Sequence, residues 1–534
     1  MAPGAISHAL ALGRKRVACL QTWLAASEGA PVRLIETHIS WVLLGSSSAY
    51  KLKKPVLLPF LDFSTLSARR HFCEEELRLN RRLAPGMYLD VVDVCNGRQG
   101  PTFGGDGPVL DVAVRMRRFP DGALWSEMLA AGTLEAQHVD AMAQTLHSFH
   151  RDAAVAPAHS AFGLAPAHQR VVQGLFDGIE PSLNQIATPA LVAEWPALRA
   201  WLLEQQRTLA PLWSRRQSEC RVRECHGDLH LSNVLQWEGR ATAFDGIEFD
   251  AEMRWIDVLD DVAFLAMDLW ANQRRDLTFR FINAYLAVSG DYGGLPALRY
   301  YMACRAMVRA RVAAVAGRQG VPSTSGCSAA QYLALAMTLS RSADARLAIT
   351  HGLPGTGKSF VSQAVVEAVG AISVRSDVER KRLFGLGALE SSLGRVPGGI
   401  YDSGTTRRTY SCLLKTAAVA LSAGWPVVVD AAFLLRVERD EFAALAEWLA
   451  VPFTIFDCRA ALPLLRFRLD QRQCSGSDPS EADATVLDQL MGVDEPVEDP
   501  ESLRAIVVDA AQHQSSEALA QRWLAAAVPT QRRP

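Results

Sequence analysis

Two short stretches of the sequence contain residue types suited to the transfer of phosphate. In the first, HGDLHLSN at residues 226–233, Asp228 precedes Asn233 by five positions. Phosphoryl transfer needs a carboxylate near the acceptor hydroxyl and oxygen ligands for the metal that neutralises the phosphates. Asp228 could serve as the base and Asn233 as a magnesium ligand. The second stretch, GLPGTGKS at residues 352–359, is a separate phosphate-binding signature.

The residues after Asn233 predict a β-hairpin that brings a second metal ligand close. VLQW and ATAFD flank a turn centred on Gly239, and Asn233 and Asp245 each lie six residues from that glycine. In a regular hairpin these two residues would lie opposite each other at the open end. An amide oxygen and a carboxylate would then converge, which suits Mg²⁺.

A kinase site also needs a lysine that is held by a glutamate. The strand predicted over residues 49–54 offers Lys51 and Lys53, which share one face because strand side chains alternate. The pattern does not favour either lysine. In the helix that follows, the register indicates Glu76 as the partner, with Glu75 as the alternative.

Taken together, these residues resemble the aminoglycoside phosphotransferase family, whose kinase-like fold is shared by choline kinases. The resemblance spans about residues 30–316 and is most specific at HGDLHLSN and FDGIEFD. It implies that Asp228 is the catalytic base and that Asn233 and Asp245 hold magnesium. It also implies that Asp261 supports the catalytic loop.

The second stretch satisfies the P-loop pattern G-x-x-x-x-G-K-S, with a predicted strand before it and a helix after it. Glycines let the backbone amides close around phosphate oxygens at a helix N-terminus, where the helix dipole favours negative charge. Lys358 would reach the β- and γ-phosphates, and Ser359 would bind magnesium. The sequence thus predicts an ATP-binding loop formed by Gly352, Leu353, Pro354, Gly355, Thr356, Gly357, Lys358 and Ser359.

Other residues of the C-terminal half fit a kinase better than a motor or a switch. Asp377 ends the next predicted strand, and Arg380 lies about one helical turn beyond it, so both would face an acceptor. Asp430 ends an apolar strand, which is the position of a carboxylate in the magnesium shell. Arg468 and Arg472, four apart on one helix, precede a segment suited to a lid.

This half, about residues 345–525, resembles the small P-loop kinases that include polynucleotide kinase, zeta toxins and chloramphenicol phosphotransferase. The resemblance implies that Asp377 activates the acceptor hydroxyl and that Arg380 orients the acceptor. Arg468 or Arg472 would stabilise the transferring phosphate. As the alternative, the three arginines are ordinary charges on helix surfaces.

The order of predicted elements indicates two domains. Residues 1–317 form an α+β, two-lobed, protein-kinase-like domain, with a β-rich lobe at about 30–120 and a helical lobe at about 121–317. Residues 318–344 are a linker with a connecting helix. Residues 345–534 alternate strand and helix, which predicts an α/β P-loop NTPase domain of the AAA type, with a parallel sheet covered by helices.

The composition is that of an ordinary globular protein: 534 residues, of which 49% are hydrophobic and 21% charged. A formal net charge of −2 provides no basic field for nucleic acid or an anionic membrane. No apolar run reaches membrane-spanning length, and the first residues do not read as a secretory signal. The ten cysteines include no Cys-x-x-Cys pair. We expect a cytoplasmic protein with reduced thiols and no obligate protein partner.

The local charge around the first site is acidic. Residues 241–268 contain eight carboxylates and one arginine, a balance of −7 that could attract a cationic acceptor. The alternative, which we favour, is that these groups are metal ligands, helix caps and surface charges.

The leading hypothesis is a bifunctional kinase that uses ATP and Mg²⁺, with each half phosphorylating a hydroxyl of a small molecule. One alternative is that one half is catalytic while the other binds nucleotide as a regulatory module. Another is a zeta-toxin-like kinase of nucleotide sugars or nucleic-acid ends, although the near-neutral charge argues against nucleic acid.

Overall fold

The structure, a computed structural model, describes residues 3–58, 61–318, 326–341, 344–393, 395–396, 399–475, 478–510 and 514–526. These residues form two domains that pack against each other. One consists of a β-rich lobe and a helical lobe, and the other is built on a parallel sheet. Within the predicted linker and connecting helix, residues 319–325 and 342–343 lie outside the described residues.

The N-terminal lobe is an antiparallel sheet flanked by two helices. Its elements are α1 (Pro3–Glu28), β1 (Arg33–Glu36), β2 (Ser40–Leu44), β3 (Ser48–Lys53), β4 (Leu57–Leu58), β5 (Leu61–Asp62), α2 (Leu66–Asn80), β6 (Tyr88–Gly97), β7 (Gly100–Phe103) and β8 (Val109–Arg117). Among the described residues the sheet order is β1-β2-β3-β8-β6-β7. The predicted hairpin is present as β2 and β3, in which Leu44 pairs with Ala49.

The two helices of this lobe lie against the sheet for reasons visible in their sequences. In α1, which was not predicted, Val17, Leu20 and Leu24 recur at helical spacing and pack on the sheet. Helix α2 begins at Thr65, whose side chain accepts a hydrogen bond from the amide of Ala68. Its buried face includes Glu76, which is therefore directed at β3 rather than at solvent.

The second lobe is helical, with two small β-ribbons at its junction with the first. Its elements are α3 (Trp125–Ala130), α4 (Ala136–Asp152), α5 (Ala165–Ile179), α6 (Leu183–Ile186), α7 (Pro189–Ser218), β9 (Val222–Glu224), β10 (Val234–Trp237), β11 (Arg240–Ala243), α8 (Ala251–Arg254), β12 (Trp255–Asp257), α9 (Val258–Ala271), α10 (Arg275–Ser289), α11 (Leu295–Arg318) and α12 (Ala329–Ser340). Short 3₁₀ turns occupy Glu180–Ser182, Leu231–Asn233 and Tyr292–Gly294.

The centre of the helical lobe is α9. It is buried at all but one of its positions, including Asp260, Asp261 and Asp268. A carboxylate at such depth needs a hydrogen-bonding partner, and each of the three has one. Helix α12, the predicted connecting helix, packs against α7, α9 and α11 and so belongs to this lobe by its contacts.

The C-terminal domain confirms the predicted parallel sheet. Its elements are β13 (Leu347–His351), α13 (Lys358–Val369), β14 (Ile372–Arg375), α14 (Ser376–Arg382), α15 (Ser403–Ser422), β15 (Val427–Asp430), α16 (Arg436–Trp448), β16 (Phe453–Arg459), α17 (Leu462–Ser475), α18 (Ala484–Met491), a 3₁₀ turn (Glu501–Arg504), β17 (Ala505–Asp509) and α19 (Ser516–Leu524). The described strands run in the order β14-β15-β13-β16-β17, with all four pairings parallel. Across the described helices of both domains, no segment has the length and apolarity needed to cross a membrane.

The exposed edge of the parallel sheet is covered by the helical lobe. Strand β14 lies at the edge, so one row of its backbone groups has no neighbouring strand. The side chain of Asn283 on α10 pairs with these backbone groups. Its amide nitrogen donates to the carbonyl of Ala371 at 2.9 Å, and its oxygen accepts from the amide of Ser373 at 2.7 Å. One side chain therefore replaces the hydrogen bonds of a missing strand.

Further contacts make the two domains share one packed core. The indole of Trp425 donates to the carbonyl of Leu295 at 3.2 Å, and the guanidinium of Arg299 lies 4.2 Å from the centre of the Trp425 ring. Arg280 of α10 pairs with Glu367 of α13 at 3.0 Å. The hydrophobic cluster of the helical lobe continues without a break into the parallel sheet.

Replacing Asn283 by alanine should loosen β14. The substitution leaves the buried backbone groups of Ala371 and Ser373 unpaired, at a cost of about 2 kcal/mol or more. We expect hydrogen exchange across residues 371–375, followed by mass spectrometry, to become at least about 30-fold faster. Asn184→Ala, at an exposed position, is the control. Unchanged exchange in Asn283→Ala would contradict the assigned role of this side chain.

A second prediction concerns the stability of the helical lobe at acid pH. His168 stacks on Trp213 with ring centres 3.9 Å apart, and burial lowers the pKa of His168 from 6.5 to about 4. The unfolded chain takes up this proton near pH 6.5 while the folded chain does not, so the stabilising effect of neutral His168 is present above that pH. It is lost as the pH falls towards 4.

The loss should amount to at most about 3 kcal/mol and should disappear in His168→Phe. Urea unfolding at a series of pH values measures it, with His8→Gln as the exposed control. An equally steep acid dependence in His168→Phe would show that another group is responsible.

Candidate active sites

Asp261 holds the loop HGDLHLSN in place through hydrogen bonds to its backbone. The carboxylate accepts from the amides of His226 at 3.0 Å and Gly227 at 2.9 Å. Burial favours its protonated form, but the hydrogen bond from His150 and the neighbouring loop groups lower the pKa of Asp261 to about 2. The supporting role that the family resemblance implied for Asp261 is confirmed by this geometry.

A second layer of hydrogen bonds fixes Asp261. His150 contacts it through Nε2 at 3.1 Å and contacts the hydroxyl of Tyr285 through Nδ1 at 2.8 Å. The thiol of Cys225 lies in the same buried group, with ligand-type atoms within 4.8 Å of one another. Both ring nitrogens of His150 are already engaged, so this group is explained by hydrogen bonding without an ion.

Asp228 is a carboxylate with an open side. Its side chain is 35% exposed, accepts from the amide of Asn233 at 3.2 Å and lies 3.5 Å from Nε2 of His230. Burial opposes ionisation, but His230 and then Arg309 lower the pKa of Asp228 below its ordinary value. The group is therefore ionised at neutral pH and open to a hydroxyl, as a base or an orienting group must be.

The hairpin is present, but its predicted register is wrong by one residue. Val234 pairs with Ala243 and Trp237 pairs with Arg240, so the turn consists of Glu238 and Gly239, both with positive φ. A two-residue turn is centred between these residues rather than on Gly239.

As a consequence, the residue opposite Asn233 is Phe244, whose amide donates to the Asn233 carbonyl at 3.0 Å. Asp245 comes one position later and has a left-handed backbone, with φ of 61°. The hydroxyl of Tyr88 accepts from the Asp245 amide at 3.1 Å and helps to hold this unusual conformation. Asn233 and Asp245 thus stand on adjoining rungs at the end of the hairpin.

The structure separates the two candidate lysines. Both pair with Glu76, Lys51 at 2.9 Å and Lys53 at 2.7 Å. Lys51 also pairs with Asp245, and its side chain is 12% exposed, whereas Lys53 is fully buried and pairs with Glu248. Lys51 is therefore the lysine beside the candidate magnesium ligand.

The two lysines stabilise the ionised form of their shared partner Glu76. Burial acts against ionisation throughout, yet Lys51 and Lys53 lower the pKa of Glu76 to about 2. Burial raises the pKa of Glu248, the second partner of Lys53. Glu75, the alternative to Glu76, pairs with Arg78 and Arg254 instead. Sequence reasoning did not single out Glu248, and no local pattern marks it as the partner of Lys53.

The P-loop has the backbone that its glycines predict. Gly352, Gly355 and Gly357 all have positive φ, and a Cβ on Gly352 would lie 2.4 Å from the carbonyl oxygen of Cys458. Nζ of Lys358 donates to the carbonyls of Gly352 at 2.8 Å and Leu353 at 2.9 Å. Burial lowers the pKa of Lys358, as expected for an ammonium held near the loop.

The predicted magnesium ligands of this domain surround a cation supplied by the protein. The guanidinium of Arg375 donates to the hydroxyl of Ser359 at 3.1 Å and pairs with Asp430 at 3.1 Å. It also lies 3.6 Å from Asp478 in the lid segment. A hydroxyl oxygen and a carboxylate oxygen within reach of one cation are donor types that Mg²⁺ also takes. Sequence reasoning did not select Arg375, although it directly precedes the Ser-Asp pair.

The two residues predicted to face the acceptor in this domain differ in the contacts that they make with the rest of the protein. Asp377 lies in the first turn of α14, is partly exposed and has no hydrogen bond or ion pair with any residue that the structure describes. Arg380 is only 6% exposed and donates to the carbonyl of Ile400 and the hydroxyl of Thr406, both at 3.0 Å. The alternative of a surface charge is therefore wrong for Arg380, and its role towards an acceptor stays a prediction.

The two lid arginines also differ. Arg468 donates to the carbonyl of Gly355 at 2.9 Å and so reaches the P-loop. Arg472 donates to the carbonyl of Ala482 at 2.5 Å, within the segment that follows α17. Arg468 therefore contacts the P-loop backbone, and Arg472 is close enough to Lys358 to help lower the pKa of that lysine.

The chain combines two unrelated folds, and each of them presents a candidate site for nucleotide phosphates. Residues 347–497 match the family model described as an AAA domain, which covers the P-loop, Asp377 and the lid. The protein Rv2004c of Mycobacterium tuberculosis is 30% identical over 460 residues, which cover 85% of this chain and 88% of that protein. The protein Mb2027c of Mycobacterium bovis matches with the same figures. The chain belongs to the family of these mycobacterial proteins.

Two solved structures illustrate the two halves. A choline/ethanolamine kinase family protein from Mesorhizobium loti is 14% identical, with a TM-score of 0.35, and covers 60% of this chain and 92% of that chain. A sugar kinase from a Janibacter species is 19% identical, with a TM-score of 0.27, and covers 34% of this chain and 96% of that chain. Because both TM-scores are low, neither similarity establishes an activity for this chain.

Lys51 and Lys53 should respond differently to replacement by methionine. In a Lys358→Ala background, Lys51→Met should weaken ATP binding about 10- to 100-fold, because a charge-assisted contact is lost. Lys53→Met should instead lower the free energy of unfolding by about 3 to 5 kcal/mol, because Glu76 and Glu248 lose a buried partner. Calorimetric titration with ATP and urea unfolding measure the two effects, with exposed Lys15→Met as the control. The reverse pattern would assign ATP to Lys53.

Proposed function

We propose that the protein is a bifunctional ATP-dependent kinase in which each domain transfers the γ-phosphoryl group of ATP to a hydroxyl of a small molecule. The observation that carries this proposal is that each half presents a partly exposed carboxylate beside groups suited to nucleotide phosphates. These carboxylates are Asp228 in the kinase-like domain and Asp377 in the P-loop domain.

In the kinase-like domain, Lys51 binds ATP phosphates and is held in place by Glu76. Asp228 accepts the hydrogen bond of the acceptor hydroxyl, and the loop held by Asp261 keeps this carboxylate in position. Asn233 and Asp245 would hold Mg²⁺, whose positive charge would offset the charge of the β- and γ-phosphates. At the end of the phosphoryl transfer, the acceptor oxygen is bonded to the γ-phosphorus, ADP has left and Asp228 has received the hydroxyl proton.

In the P-loop domain, the loop amides and Lys358 bind the phosphates at the N-terminus of α13. Ser359 and Asp430 would hold Mg²⁺. Asp377 orients the acceptor hydroxyl, and Arg468, anchored on Gly355, contributes positive charge beside the loop. The guanidinium of Arg375 must therefore move away from Ser359 and Asp430 before these two residues can bind Mg²⁺.

The partners that fit this proposal are small-molecule alcohols rather than nucleic acid or a membrane, because the net charge of −2 offers no basic field. A second candidate function is that one domain is catalytic and the other a nucleotide-binding regulator. The shared core and the Asn283 contact support it, since they tie the two sites to one rigid interface.

Transfer of labelled γ-phosphate into a metabolite extract tests the proposal. The intact chain is compared with Asp228→Asn and Asp377→Asn, and with exposed Asp106→Asn as the control. Each active-site substitution should reduce a different labelled product by about 100-fold or more, because each removes one carboxylate base. If one substitution changes no product while the corresponding domain still binds ATP, that domain is a regulator and the bifunctional assignment fails.

A further inference from the structure

Arg375 lies where two strands of the parallel sheet end beside the P-loop. It is the last residue of β14, and in the sheet register it pairs with Asp430, the last residue of β15. The P-loop follows β13, which is the next strand of the same sheet. The carboxyl ends of parallel strands form the edge at which α/β proteins bind their ligands. Arg375 is therefore positioned at the ligand-binding edge by the register of the sheet.

The guanidinium of Arg375 contacts both predicted magnesium ligands of this domain. Nη2 donates to the hydroxyl of Ser359 at 3.1 Å, and Nε lies 3.1 Å from a carboxylate oxygen of Asp430. The side chain of Arg375 is 29% exposed and that of Asp430 is 5% exposed. The guanidinium is thus directed into the site, and one side of it stays open.

The cations that the sequence assigned to phosphate are anchored on the backbone instead. Nζ of Lys358 donates to carbonyls within the P-loop, and Arg468 donates to the carbonyl of Gly355. Arg472 donates to the carbonyl of Ala482. Arg375 differs from these three residues because its contacts are with the side-chain oxygens that would hold the metal.

A γ-phosphate bound in this site would lie within reach of Arg375. In P-loop enzymes the metal is held by the P-loop hydroxyl and a carboxylate, and it bridges the β- and γ-phosphates. Ser359 and Asp430 have oxygen donors of these two types. The γ-phosphate of ATP therefore comes next to the two oxygens that the guanidinium already contacts. ADP has no such group.

We propose that Arg375 is a catalytic residue of the P-loop domain, and that its guanidinium binds the γ-phosphate of ATP and stays on this group during transfer. The inference rests on the proposed kinase function and adds the residue that distinguishes ATP from ADP. A planar guanidinium gives two parallel hydrogen bonds to phosphate oxygens, and it stabilises the charge of the group in transfer.

Arg375 gives up no proton in this reaction, because a guanidinium stays protonated in proteins. The acceptor oxygen forms a bond to the γ-phosphorus. The bond from the γ-phosphorus to the oxygen that bridges it to the β-phosphate breaks, and ADP leaves with that oxygen. The hydroxyl proton passes to Asp377, two positions after Arg375.

Asp478 is a second anion that competes for the guanidinium. Its carboxylate lies 3.6 Å from Nη2 of Arg375 and also accepts from the amide of Ser480 at 2.8 Å. As the alternative, Arg375 moves to Asp478 alone when nucleotide binds, and it never contacts phosphate. Replacing Arg375 would then affect ATP and ADP to the same extent, so a comparison of the two nucleotides separates the alternatives.

Nucleotide binding tests the contact without turnover. In a Lys51→Met background, which reduces binding at the kinase-like site, calorimetric titration with Mg²⁺ present measures the affinities for ADP and for the β,γ-imido analogue of ATP. Arg375→Met should weaken binding of the analogue about 10- to 100-fold, as expected for a lost charged hydrogen bond. ADP binding should stay unchanged or become tighter, because Ser359 and Asp430 lose a competing cation. Equal changes for the two nucleotides, or no change for either, overturn the inference.

Two further variants separate the contact from folding. Arg522→Met, at an exposed position on α19, should leave both affinities unchanged. Arg375→Lys keeps the charge but loses the paired donors, so its loss of affinity for the analogue should be intermediate. Retained ADP binding shows that the P-loop is folded. If Arg375→Met does not fold, Arg375→Lys decides: an unchanged ratio of the two affinities overturns the inference.

Phosphoryl transfer tests the catalytic role. For the labelled product that Asp377→Asn abolishes, Arg375→Met should lower kcat about 100-fold or more, with little change in the KM for the acceptor. An unchanged kcat would contradict the catalytic assignment of Arg375. If no product depends on Asp377, the proposed function of this half fails. The two nucleotide affinities then decide alone whether Arg375 binds the γ-phosphate.

Discussion

The hydrogen bonds of Asn283 to the edge of the parallel sheet are the contact on which the arrangement of both sites depends. On one side they fix β14, the strand that delivers Arg375 and then Asp377 to the P-loop site. On the other side, Tyr285 follows two positions after Asn283 on α10 and is linked to the loop at residues 226–233 through His150 and Asp261. A single helix therefore positions elements of two unrelated folds, and neither site can shift far without disturbing the packing of α10.

Both sites also place protein cations among the acidic groups expected to receive magnesium. Lys51 pairs with Asp245 in one site, and Arg375 spans Ser359 and Asp430 in the other. Carboxylates clustered without a cation would repel one another, and these pairs relieve that repulsion. The same pairs must rearrange when nucleotide phosphates arrive, since phosphate oxygens compete for the cations. Affinity for nucleotide in each half is thus a difference between two sets of ionic contacts.

The sequence predicted those parts of the sites that are set by local geometry. The P-loop, the parallel strands and the turn of the chain at residues 226–233 were predicted because spacing along the chain determines them. The register of the β10–β11 hairpin was missed by one position, because Glu238 joined Gly239 in a two-residue turn. The choice between Lys51 and Lys53 could not be made, since both lie on one face and only the position of the hairpin and of Glu248 separates them. Helix α1 has the apolar spacing that would have predicted it.

The charge near Asp228 is determined by contacts between residues that are distant in sequence. Counted along the chain, residues 241–268 are strongly acidic. In the fold, Arg216 and Arg305 come from α7 and α11, and Lys51 and Lys53 come from β3, so each neutralises an acidic group far away in sequence. Electrostatic energy falls with distance in space and not with separation along the chain. Asp261 and Asp268 are held by neutral donors instead, so these pairs reduce the negative charge that the local sequence suggested but do not reverse its sign.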